Sequence, residues 1–120
     1  MSTLIVSTPG MQAGSLRAAL DSLPAVQVIG SASGCLSALY MVRELTPALL
    51  VIDSNLPTVD VQTLLRQIQR EGLRTRSLVL TTTSKQSRSA RAAGADATFS
   101  RDASVEQLIA LLAGLNDARG

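Results

Sequence analysis

The sequence predicts an α/β fold in which helices cover both faces of a parallel sheet, and three observations carry that prediction. Short apolar runs rich in β-branched residues alternate, along the whole chain, with stretches whose apolar residues recur at helical spacing. The connections between them are short and marked by Gly, Pro and Ser. The run Ala48-Leu49-Leu50-Val51-Ile52 lacks polar alternation, as a strand buried on both sides requires, and it leads straight into Asp53 and a turn closed by Pro57. Strand and helix in strict alternation imply right-handed crossovers and a (βα)5 order.

Taken in order, Thr3 to Val6 reads as the first strand, ending in the turn Ser7-Thr8-Pro9-Gly10. Leu16, Ala19, Leu20 and Leu23 follow at helical spacing, and Pro24 stops that first helix. Val26, Val28 and Ile29 make a second strand ending at Gly30. A second helix runs from Gly34 to Thr46, with Ala38, Leu39, Val42 and Leu45 on one face and Pro47 beyond it. The third strand is the run ending at Ile52. Asp60 is the expected cap of a third helix carrying Leu64, Leu65 and Ile68, with Gly72 at its end. Ser77 to Thr82 makes a fourth strand, and the polar loop from Thr81 to Ser89 enters a weakly apolar fourth helix that ends at Gly94. Ala97 to Ser100 is a short fifth strand. Ser104 and Gln107 form a capping box for a last helix, whose buried stripe is Val105, Leu108, Ile109, Leu112 and Leu115.

At 120 residues, 46% of them hydrophobic, residues 1–120 form one domain with a full core and no linker. Aromatic residues are 2%, Tyr40 and Phe99, which removes the stacking platforms of single-strand nucleic-acid binders. There is no histidine, so the usual Ser-His-Asp and Cys-His catalytic groups are excluded. A lone cysteine, Cys35, excludes an internal disulfide and suits a reducing compartment. Neither a signal peptide nor a membrane-spanning stretch is visible, which points to the cytoplasm. Eight of the eleven basic residues fall between Arg66 and Arg101, opposed there only by Glu71 and Asp96. They form either a solvated face or one that attracts an acidic partner.

In a parallel sheet Ser7, Thr8, Asp53, Thr81 and Arg101 share the rim at the carboxyl ends of the strands, where ligands and chemistry collect. A carboxylate, a cation and several hydroxyls converge there, with Asp53 the leading functional candidate; an Asp that only caps its loop is the competing account.

Asp53 to Pro57 reads as Asp-x-x-Leu-Pro, Leu80-Thr81-Thr82 follows the fourth strand, and Ala93-Gly94-Ala95-Asp96 leads to Arg101-Asp102-Ala103-Ser104. In these motifs the chain resembles a receiver domain of two-component response regulators. The chain is most similar to receivers that precede a LuxR-type helix-turn-helix DNA-binding domain. The resemblance implies a flavodoxin-like (βα)5 three-layer sandwich of the CheY type, sheet order 2-1-3-4-5. It makes Asp53 the phospho-acceptor position, Thr81 and Thr98 the switch positions and Arg101 the cation where the family has lysine. It also implies a signalling module that is not an independent enzyme, served by a histidine kinase or other signalling protein. A homodimer is possible, no membrane is involved, and DNA is reached only through an output domain this chain does not contain.

Three positions depart from the family's pattern. Ser7 and Thr8 stand where it places an acid pair, Arg101 where it places lysine, and Thr98 where it places an aromatic switch partner. The segment from Thr81 to Gly94 is also shorter than in the family. Family receivers hold Mg²⁺ with the acid pair, the acceptor and a backbone carbonyl, here that of Asn55. With two acids replaced by hydroxyls the expectation is no resident cofactor and weak divalent binding at most, hence an atypical receiver acting by protein contact on a transcriptional output. A guanidinium at Arg101 offers a forked clamp for Asp53. Leu36 and Tyr40, four apart on the second helix and off its core stripe, mark a candidate partner surface, and Leu111 raises the same question on the last helix. Two alternatives stay open: a working acceptor that takes phosphate on Asp53, and a small anion- or nucleotide-binding protein using the Thr81 to Arg88 loop.

Overall fold

The computed structural model describes residues 1–7, 17, 18, 20–53, 56–100 and 104–117. Within them the order is β1 (Ser2–Val6), β2 (Gln27–Ala32), α1 (Cys35–Leu45), β3 (Leu49–Ile52), α2 (Thr58–Arg70), β4 (Arg76–Thr81), α3 (Ser84–Ala93), β5 (Ala97–Ser100) and α4 (Val105–Asp117). The predicted second to fifth helices are thus α1 to α4. Of the predicted first helix, residues 17, 18, 20 and 21 are helical and the rest lies largely outside the described residues. The five strands form one sheet in the order β2-β1-β3-β4-β5, every pair parallel, as expected.

The alternation of side chains along each strand divides the core into two layers. Leu4, Val6, Leu50, Ile52 and Val79 face α1, α2 and α3, meeting Val42, Leu64, Leu65 and Ile68. Ile5, Leu49, Val51, Leu78 and Leu80 point the other way, onto Leu20, Leu23, Leu108 and Leu112. β3 at the centre is buried on both sides, each of its four residues being 0% exposed, which is why its sequence carries no polar alternation.

Several local expectations are corrected. β2 runs on past Gly30 to Ala32, because the pairing register with β1 slips at Thr3/Leu4 and the extra residue Ile29 is absorbed as a bulge. α2 begins at Thr58 behind Pro57, so Asp60 is not its cap; it lies in the first turn, where a carboxylate complements the helix dipole. Leu45, the last residue of α1, and Ile109 on α4 are exposed, at 44% and 48%, where the helical stripe predicts burial. Leu111, expected at the surface, is instead half-buried against the second core layer. The capping box holds in full: Ser104 N donates to Gln107 Oε1 at 3.0 Å and Gln107 N to Ser104 Oγ at 3.2 Å.

Candidate functional site at the carboxyl rim

β1 and β3 pair in register from Thr3↔Leu49 to Val6↔Ile52, so the residues that follow them, Ser7 and Asp53, emerge side by side. The backbone clamps both. Asp53 N donates to Val6 O at 2.9 Å and Ser7 N to Ala32 O at 3.0 Å, extending the ladders one residue beyond the strands. Asp53 is 1% exposed, Ser7 5% and Thr81, the last residue of β4, 4%. Asp53 also makes a further interaction, so the residue is not without a partner. Thr8, Asn55 and Arg101 lie outside the described residues, and with them the expected meeting of Arg101 and Asp53.

The donor chemistry of the rim follows from these residues. Asp53 supplies a carboxylate and Ser7 a hydroxyl, and among the described residues no three acids, cysteines or histidines cluster as a metal-binding group. A small crevice of about 30 Å³ opens beside Thr81, between α2 and α3, lined by Leu56, Val61, Gln62, Gln86 and Ser89. It has room for a single water.

Thr98, on β5, is tied to α3. Its hydroxyl lies 2.7 Å from Ser87 Oγ and accepts from Arg91 Nε at 3.3 Å. α3 is further held to α2 by Gln62 Nε2 donating to Ser89 Oγ at 2.8 Å, and by Gln69 Nε2 donating to Gly94 O at 3.2 Å. Its buried side chains are Ala90 and Ala93 only, so polar contacts carry much of its attachment. These partners escaped the sequence reading because Ser87 and Thr98 are eleven residues apart on different elements. The weak apolar stripe of the fourth helix was the available signal.

Three donors of the loop entering α3 are used within it. Thr82 N and Oγ1 both donate to Gln86 Oε1, at 2.7 and 2.9 Å, and Gln86 N donates to Thr83 Oγ1 at 3.1 Å.

On the other flank a groove of about 470 Å³ lies between the first turns of α1 and α2, lined by Cys35, Leu36, Leu39, Asp60, Thr63 and Leu64. Burial, and then the charge of Asp60, push the Cys35 thiol up. Leu36 is 85% exposed and Tyr40 64%, as their position off the core stripe predicts; Val59 adds a third exposed apolar residue at the start of α2.

The family model for the response regulator receiver domain matches residues 4–113. The receiver domain of the putative response regulator NarL from Mycobacterium tuberculosis superposes with a TM-score of 0.82 at 19% identity, over 96% of this chain and 95% of that one. A LuxR-family two-component response regulator from Aurantimonas sp. SI85-9A1 gives 0.83 at 24% identity, over 97% and 85%. RcsB from Salmonella typhimurium gives 0.81 at 18% identity, over 98% of this chain and 59% of that one. No curated protein matches the chain in sequence. A parallel sheet in the order 2-1-3-4-5, an aspartate buried at the end of its central strand and a family match over nearly the whole length lead to one assignment: the chain belongs to the response regulator receiver domain family.

Proposed function

We propose that residues 1–120 act as a single receiver domain that signals by protein contact, with Mg²⁺-dependent phosphorylation weakened. The observation that carries this reading is the pairing of buried Asp53 with a hydroxyl, Ser7, at the adjoining strand end. Magnesium binds through carboxylates in near-octahedral geometry and neutralises the charge of a phosphoryl group in transfer. Serine, followed in sequence by Thr8, supplies no charge for that purpose. The residues therefore do not fit a resident Mg²⁺.

In this reading Asp53 holds the acceptor position, Thr81 and Thr98 the switch positions, and Arg101 neutralises Asp53 in place of the family's lysine. The partner is a histidine kinase or another signalling protein in the cytoplasm, or a second copy of the chain. The exposed pair Leu36 and Tyr40 is the contact surface, and the output is transcriptional, through a DNA-binding domain outside this sequence. The groove beside that pair, with Asp60 at its margin, supports such a contact.

The test is incubation with a small phosphodonor and Mg²⁺, read by intact mass. The proposal expects little or no phosphorylated species from the wild type, and restored Mg²⁺ binding in Ser7→Asp/Thr8→Asp by calorimetry. Rapid, stoichiometric phosphorylation of the wild type that disappears in Asp53→Asn would establish a working acceptor and overturn the reading.

A further inference from the structure

The cations concentrated between Arg66 and Arg91 are not used by the rim. In the structure Arg66 and Arg70 on α2, Arg74 in the turn after it, and Lys85 and Arg88 on α3 are all exposed. No carboxylate of a described residue lies at ion-pair distance from any of the five. The acids nearest in sequence are otherwise engaged: Glu71 binds Arg43 and Gln67, and Asp96 binds Arg76 and the start of β4.

The five cations share one side of the sheet. Gln62 and Gln69 both reach α3, so Arg66, four residues after the first and three before the second, stands on the flank of α2 that faces α3. Lys85 precedes Ser89, which Gln62 contacts, by one helical turn and so borders the same groove from the other side. Arg70, Arg88 and Arg74 continue the positive surface around it.

We infer that this α2–α3 face binds the phosphate backbone of duplex nucleic acid. Stable protein partners anchor on a buried apolar or aromatic centre, and this face has none: the exposed apolar residue of α2, Val59, stands about 10 Å along the helix from Arg66. Binding by counterion release needs no such centre. Four of the five cations are arginines, whose forked guanidinium suits phosphate oxygens. With Tyr40 on α1 and Phe99 on β5, no aromatic residue lies on α2 or α3, so the face lacks the stacking that single strands require. The contact is sequence-independent and rests on the receiver's own surface, apart from any output domain.

The test is fluorescence anisotropy of the 120-residue chain with a labelled duplex of about 20 base pairs, from about 50 to about 200 mM salt. The expected result is binding insensitive to base sequence, with a dissociation constant of roughly 10⁻⁶ to 10⁻⁴ M and a log–log salt slope of roughly −4. Arg66→Gln/Lys85→Gln/Arg88→Gln should bring the slope to roughly −2 with an unchanged circular dichroism spectrum. The charge-retaining Arg66→Lys/Arg88→Lys should keep it, and Arg17→Gln should leave binding as it was. Absence of duplex binding at the lowest salt, or binding that the triple substitution leaves intact, would overturn the inference. Tighter binding to a polyglutamate peptide than to the duplex would also overturn it, assigning the face to an acidic protein.

Discussion

Thr98→Val removes one hydroxyl and leaves the shape of the side chain nearly unchanged, which makes it a clean probe of how α3 is held to the sheet. Two hydrogen bonds go with that hydroxyl, the 2.7 Å bond with Ser87 and the longer 3.3 Å bond from Arg91. The first is partly buried and worth about 1 kcal/mol net, while the second is exposed and contributes little. Apolar burial offers small compensation, because Ala90 and Ala93 are the buried side chains of the helix. We therefore expect a global destabilisation of about 1 kcal/mol in urea denaturation. Amide exchange in α3 should accelerate by about fivefold, the factor equivalent to that energy, while β3 and β4 amides change only with global stability. Ser87→Ala should cost a similar amount, and the double substitution less than the sum of the two, with a coupling of about 0.5–1 kcal/mol. Additive effects, or exchange in α3 that does not respond, would show that the hydroxyl pair does not fasten the helix.

Gly94 has φ 113°, and a Cβ there would collide with the Gln69 side-chain amide; Gly94→Ala should lower stability by about 1–3 kcal/mol in a urea melt, and adding Gln69→Ala should recover only the steric part. Leu50→Ala, at a site 0% exposed between β1 and β4, should cost about 2–5 kcal/mol by the same measurement. The Arg43 guanidinium, then the Gln67 amide, hold the Glu71 carboxyl down at about 2, below its ordinary 4.5. Its contribution to stability is therefore full above about 4.5 and lost as pH falls toward 2, a dependence that carbon NMR titration should place at Glu71 and that Arg43→Gln should weaken, leaving the part due to Gln67. Leu36→Asn/Tyr40→Asn should leave the melting temperature within a few degrees of wild type, since both side chains are exposed, while reducing capture by the cognate signalling partner.

Long apolar runs made the sheet readable before any coordinates were known. Leu49 to Ile52 has one physical solution, a strand buried on both faces, and the strand-and-helix alternation around it dictates parallel pairing. Local chemistry was legible wherever one residue decides the geometry, as at Ser104 with Gln107 or at Gly94. Boundaries set by tertiary contacts were not. The extension of β2 beyond Gly30 depends on its pairing with β1, and α2 takes its start from the proline at 57 rather than from the acid at 60. At the rim, Ser7, Asp53 and Thr81 stand at the strand ends where the parallel sheet requires them. The ties of Thr98 depended on which face of α3 turns toward β5, and a helix with alanine anchors gives periodicity little to work on.

Ile29 enters β2 as a bulge opposite β1. β2 is an outer strand, and a row of open backbone groups along such a strand is a template on which a second chain can add by continuous pairing. One extra residue in the middle of the strand bends it and sharpens its twist, so a straight incoming strand finds matching donors and acceptors for only a short distance before falling out of phase. Growth of the sheet sideways from β2 into fibres or swapped dimers is discouraged at that margin.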